Sequence, residues 1–106
     1  MTKYLWRVSY SLDGVKGVVK EGGTGRREAV EKLLADLGGT IESFYFTFGE
    51  DDVIVIAEVP DNVTAAAISL AVASAGSARI HTTVLLSPEE IDKAAKATIN
   101  YRPPGK

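Results

Sequence analysis

Apolar residues in this chain switch between two spacings, and the order of the switches restricts the fold more than any other feature. Alternation at every second residue marks a strand, and recurrence every three or four residues marks a helix. Tyr4 to Tyr10 is aromatic and β-branched, as strands are. Ser11 to Gly25 reads as a glycine-rich loop, interrupted at most by a short amphipathic turn through Val15, Val18 and Val19. A helix follows, with Thr24 as its candidate N-cap and Glu28 in its first turn. Ala29, Val30, Leu33, Leu34 and Leu37 form its buried stripe, and Gly38 and Gly39 stop it. Thr40 to Phe48 and Asp52 to Val59 read as two strands joined in a hairpin. Pro60 ends the second of these, and Asp61 or Asn62 caps a helix over Val63 to Ala75. Ala78 to Leu86 is the fourth strand. Ser87-Pro88-Glu89-Glu90 then opens a last helix that reaches to about Thr98, with serine as cap and acids near the positive end of the dipole.

The order is therefore β-α-β-β-α-β plus a C-terminal helix. This is the ferredoxin-like α+β pattern, in which two helices cover one face of an antiparallel sheet. Residues 1–98 make this domain. Residues 99–106 make an extended tail, because Pro103 and Pro104 forbid helix. With 106 residues the chain holds one domain and one modest core.

Such an architecture leaves the second face of the sheet bare in a single copy. Alternation puts Tyr4, Trp6, Val8 and Tyr10 on one face of the first strand, and Leu5, Arg7 and Ser9 on the other. In the third strand both faces are apolar: Val53, Val55 and Ala57 against Ile54 and Ile56. An exposed apolar face of this size implies a partner, and the simplest partner is another copy packed sheet to sheet. The helix VTAAAISLAVASA carries no charge at all. It is either buried on more than one side or an alanine-rich surface helix. The expected assembly is a homo-oligomer, a dimer or larger.

Composition narrows the function classes. A net charge of -2 gives no broad attraction to nucleic acid or anionic membrane, and no basic stripe or RNA-binding strand motif is present. There is no cysteine, so disulfides, thiolate metal sites and a cysteine nucleophile are excluded. No segment approaches the ~20 apolar residues that span a bilayer, and MTKYLWRVSY lacks a signal-peptide core. The expected location is the cytoplasm, in a protein of bacterial style.

The run GGTIESFYFTFGEDDVIVIAEVPDNVTAAAISLAVASAGSARIHTTVLLSPEEI resembles the GYD-domain family, and the likeness covers nearly the whole chain. That family is named for a Gly-Tyr-Asp motif after the second strand, usually with one residue between the glycine and the tyrosine. Gly49 and Asp52 match its ends, and Asp51 stands where the tyrosine is expected. The resemblance implies a ferredoxin-like subunit of the dimeric α+β barrel type. It implies no particular chemistry, because related barrels include oxygenases, dechlorinating and decarboxylating enzymes, and proteins without known activity.

The candidate site residues are few. Glu50, Asp51 and Asp52 read first as a turn: Gly49 admits a positive φ and the aspartates can bond the turn backbone. Asp52, at the strand edge, is the acid with the best case for a second role as a base. His81 is the sole histidine, which excludes multi-histidine metal sites within one subunit but leaves a general base. Arg7, Ser9, Tyr45 and His81 are the polar side chains that can converge on one sheet face. They would line a ligand cavity between sheet and helices or between two sheets. Arg26 and Arg27, after the glycine-rich EGGTG, can hold an anion or simply be solvated. No metal and no cofactor is expected.

Two functions fit. One is an oligomeric module, binding a small molecule or purely structural. The other is a cofactor-free enzyme, oxygenase- or isomerase-like, acting on a small hydrophobic substrate in the barrel cavity. In it His81 or Asp52 is the base and Arg7 orients an anionic group.

Overall fold

The structure, a computed structural model, describes all 106 residues. Its elements are β1 (Thr2–Tyr10), α1 (Leu12–Glu21), α2 (Gly23–Asp36), β2 (Thr40–Phe46), β3 (Val53–Val59), α3 (Asn62–Ala75), β4 (Ala78–Leu85) and α4 (Pro88–Lys96). The strands form one sheet in the order β2-β3-β1-β4, with every neighbouring pair antiparallel. The chain is thus α+β with a ferredoxin-like sheet. A bulge at Glu42 shifts the register of β2 between Ile41 and Ser43.

The core forms where α2 and α3 cross one face of this sheet. Tyr4 and Trp6 of β1, and Val53, Val55, Ala57 and Val59 of β3, are buried against Leu34 of α2 and Ala65 and Ile68 of α3. These strand residues sit at every second position, which explains the alternating burial along β3. Tyr4 and Trp6 stack with ring planes 11° apart, and the Tyr4 hydroxyl donates to Asn62 at the start of α3. The outer side of α3 carries Val63, Ala66 and Leu70, all exposed, so in one copy the uncharged helix is buried on one side only.

Helix α1 departs from the loop expected over Ser11 to Gly25. Ten residues, Leu12 to Glu21, form this helix, capped where the Ser11 side chain accepts from the Gly14 N–H. Local propensity does not account for it, because Gly14 and Gly17 both disfavour helix. The tertiary setting does. Ser11 donates through its backbone N–H and its hydroxyl to the Ser77 carbonyl, in the turn between α3 and β4. A Cβ on Gly14 would lie 2.0 Å from that same carbonyl oxygen, so only glycine lets the helix sit this close. Gly22, with φ 85°, breaks α1 from α2, and α2 starts there without a side-chain cap. Thr24 is therefore inside the helix rather than its cap.

Helix α4 begins in a capping box: Ser87 accepts from the Glu90 N–H, and Glu90 accepts from the Ser87 N–H. Every residue from Pro88 to Lys106 is exposed. The molecule spans 57 × 32 × 24 Å and its radius of gyration is 17.0 Å, against about 13 Å for a compact chain of this length. The excess is α4 and the tail, which project as an arm.

Two glycines of α1 should respond in opposite directions. Gly14→Ala forces helix and turn apart and should cost about 1–3 kcal/mol of stability. Gly17→Ala, with nothing within 4 Å of the added carbon, should gain about 0.5–1 kcal/mol. Urea midpoints of the two variants check both signs. The arm helix should also be acid-sensitive. The Ser87 N–H donating to Glu90 holds that carboxyl below its ordinary value. A depressed carboxyl supports the helix fully above its unfolded value, and the support is lost as pH falls through the folded one. Carbon chemical shifts of 88–96 should therefore lose helical character on acidification below the usual carboxylate range. Ser87→Ala should show the same loss at neutral pH.

Candidate functional site

The open face of the sheet is built by the residues that alternate with the core. Direct cross-strand partners place Tyr45, Ile54, Arg7 and His81 in one row across all four strands. The next row is Ser43, Ile56, Leu5 and Thr83, and Ser9 stands opposite Arg79. Leu5, Ile54 and Ile56 are half-buried, and Tyr45 is 69% exposed. Charged groups sit around them. Lys3 bonds Glu42 at 3.0 Å and approaches Glu58 at 4.0 Å, and Arg7 meets Asp51 at 3.5 Å. An apolar centre with a charged rim is the anatomy of a protein interface.

Arg7, Ser9, Tyr45 and His81 thus share one face, and it is the face away from the helices. Arg7 and His81 are direct cross-strand neighbours. His81 is exposed on an edge strand and its side chain makes no hydrogen bond or ion pair. Asp52 lies elsewhere, in the link between β2 and β3. Its carboxylate accepts from the Tyr10 N–H at 2.7 Å, its own N–H donates to Val8 at 2.8 Å, and its carbonyl accepts from the Thr47 N–H at 2.9 Å. The Thr47 hydroxyl donates to the Asp51 carbonyl. The acidic run therefore closes the hairpin and ties it to the end of β1. Asp51, not Asp52, reaches toward the open face, through Arg7. No three acidic or histidine side chains gather in a metal-holding cluster.

A small, partly open hollow lies on the other side, between the sheet and α2 and α3. It is a cavity of about 60 Å³ whose lining is apolar except for Arg26. Trp6, Phe44 and Val55 form its floor on the sheet, and Val30, Leu33 and Val72 its helical walls. The Trp6 Nε1 is shut off from solvent and has no hydrogen-bond partner. Such an orphaned donor costs roughly 1–3 kcal/mol. Arg26 stands beside the Tyr10 phenol and comes no closer than 3.9 Å to Glu21. Burial pushes the Tyr10 phenol above its ordinary value, and the nearby guanidinium pulls in the other direction. Arg27, one residue on, turns outward to Glu31 at 3.2 Å, so the two arginines after the glycine run have separate surroundings.

The cavity was not visible in the sequence as a site. Alternation placed Trp6 and Tyr10 on one face of β1, but only the packing of α2 brings Arg26 over them. The orphaned indole N–H depends on what the helices fail to supply.

Replacing Asp52 separates a structural from a chemical role. Asp52→Ala strands the Tyr10 N–H and should cost about 1–3 kcal/mol in a denaturant titration. Asp52→Asn, which keeps an acceptor oxygen, should recover most of that loss.

Comparison with known proteins gives one match. A family model described as the GYD domain covers residues 4–95, from the first strand to the last helix. No curated protein and no solved structure is significantly similar to the chain. The matched span contains β1 from Tyr4 on, β2 to β4, α2 and α3, and the Asp51–Asp52 turn, and with that coverage the chain belongs to the GYD-domain family.

Proposed function

We propose that this protein is a self-associating module that holds a small molecule, with copies paired through the open sheet face and the ligand held under the helices. The observation that carries the pairing is the half-buried apolar patch of Leu5, Ile54 and Ile56, rimmed by Lys3, Arg7, Glu42 and Glu58. An aqueous surface gains nothing from three aliphatic side chains side by side, whereas a second sheet packed on them removes their area from water. The arm adds to the case. Ile91, Ile99 and Tyr101 are exposed in one copy, and a neighbouring copy offers them a surface to pack against. Ligand binding rests on the hollow under the helices, whose walls are apolar and whose lining includes one cation, Arg26.

The second reading is a cofactor-free enzyme acting between the paired sheets. The adjacency of Arg7 and His81 favours it, since a cation to orient an anionic group then stands next to a general base. Asp51 weighs against it, because it already occupies Arg7. In this reading Ser9 and Tyr45 are further ligand contacts on the same face.

Sedimentation velocity tests the pairing. The wild-type protein should run as a dimer or larger at micromolar concentration. Ile56→Lys should run as a monomer with an unchanged far-ultraviolet spectrum. A wild-type monomer at those concentrations would remove the proposed assembly.

A further inference from the structure

We infer that the C-terminal tail of one copy docks in the aromatic groove between α1 and the β2–β3 link of a second copy. The inference deepens the pairing proposed above, on which it rests, by naming where a neighbouring copy receives the arm.

The groove comes first. Where β1 ends, the rings of Tyr10, Phe46 and Phe48 and the side chains of Val15 and Val19 line an open groove of about 420 Å³. Phe48 is fully exposed and Val19 is 81% exposed, so two large apolar groups stand in water at its rim. The surroundings are acidic. Between Thr40 and Ala78 the chain has six acids and no lysine or arginine, and three of those acids, Glu50, Asp51 and Asp52, lie in the link that walls the groove. Arg7 answers Asp51, while Glu50 and Asp52 make no ion pair. Helix α1 adds Asp13, Lys16, Lys20 and Glu21, whose charges cancel.

The tail has the complementary chemistry. From Lys93 to Lys106 there are four cations and no acidic side chain, and none of the four is in an ion pair. Ile99 and Tyr101 are exposed, and Arg102, Pro103 and Pro104 follow them. Proline-rich segments dock in aromatic-lined grooves because the pyrrolidine rings fix the backbone in advance. The end of the tail is also preformed. The Lys106 N–H donates to the Pro103 carbonyl at 3.1 Å, and the Arg102 guanidinium donates to the Lys106 carbonyl at 3.0 Å. A segment already folded on itself loses less freedom when it binds.

The topology selects a second copy as the occupant. Tyr10 pairs with Ala78 at the start of β4, and Lys3 pairs with Leu85 at its end. The groove is therefore at one end of the sheet and the root of the arm at the other, about 23 Å away at ~3.3 Å per residue. Two copies packed sheet to sheet about a two-fold axis perpendicular to the strands run in opposite directions. Each arm then starts beside the other copy's groove. Ten residues follow α4, and at ~3.1 Å each they reach about 31 Å, more than the ~10 Å between packed sheets.

The chain has no cysteine, so Thr98→Cys carries a nitroxide label at a single site. Nitroxide-labelled copies, silent in the spectrum, are refolded together with isotopically enriched wild-type copies. The spectrum then reports only what one copy's tail does to another copy. The expected result is a selective loss of amide signals at 15–23 and 46–52, reversed when the nitroxide is reduced. Phe48→Ser in the enriched copy, or Arg102→Glu in the labelled one, should restore those signals while sedimentation velocity still shows the dimer. Salt at about 1 M, where the screening length falls to ~3 Å, should restore them in part. A dimer whose groove signals persist, or whose losses fall on α3 and β4 instead, overturns the inference and leaves the pairing. Losses at the groove only when label and isotope share one chain show the tail folding back on itself, and also overturn it. A monomer by sedimentation that still loses the groove signals sustains the tail contact and removes the sheet pairing. A monomer that keeps them removes both.

Discussion

A sheet has two faces, and in this topology the connections can cover only one of them. The β1-to-β2 and β3-to-β4 connections each skip a strand, and right-handed crossovers, the nearly universal hand, carry both helical segments to the same side. The common core of Leu34 from α2 and Ala65 and Ile68 from α3 follows directly. So does the bare opposite face. Because β1 and β3 are the two inner strands, their alternation must provide apolar groups to the core on one side and decides the character of the open side on the other. Placing Leu5, Ile54 and Ile56 there, and not polar residues, gives the open face the apolar centre on which the proposed pairing rests.

How far the sequence reveals this depends on the range of the interactions involved. The sheet, its faces and the caps of α3 and α4 rest on spacing and on contacts within a few residues. Asp61 accepting from the Thr64 N–H and Ser87 accepting from the Glu90 N–H are local events, and the residue types announce them. Helix α1 rests instead on Ser77, distant in sequence, and its glycines argue against helix until that contact is known. The strand ends behave similarly. The second strand stops at Phe46 rather than Phe48, because Thr47 turns both its N–H and its hydroxyl to Asp52 and Asp51.

The acidic run shows the same limit at the level of a site. Three carboxylates side by side do not reveal which of them faces where. Asp52 has its carboxylate turned to a main-chain N–H of β1, so it holds the hairpin against that strand. Asp51 has its carboxylate beside Arg7, and its side chain is the more buried of the two partners in that pair. The position at which the family's motif has a tyrosine thus carries, in this chain, a counter-ion for a cation on the open face. In the proposed pairing, an ion pair there would neutralise a charge that opposes a second sheet carrying the same arginine.

The cavity is the opposite case, a feature the residues create by what they leave undone. A void of about 60 Å³ costs on the order of 1.4 kcal/mol at the measured ~24 cal/mol per Å³, and the orphaned Trp6 donor adds roughly 1–3 kcal/mol. Against a net stability of about 5–15 kcal/mol for a small domain, these are large deductions. A core with only nine buried apolar side chains has little in reserve to offset them. Either deficiency alone has a simple remedy within the protein: a larger aliphatic residue at Val72 for the void, or phenylalanine at Trp6 for the donor. Trp6 also lines the hollow, and Arg26 is the one charged residue of that lining. An apolar body in the hollow would relieve the cost of the void alone, because the indole donor is closed even to a water-sized probe.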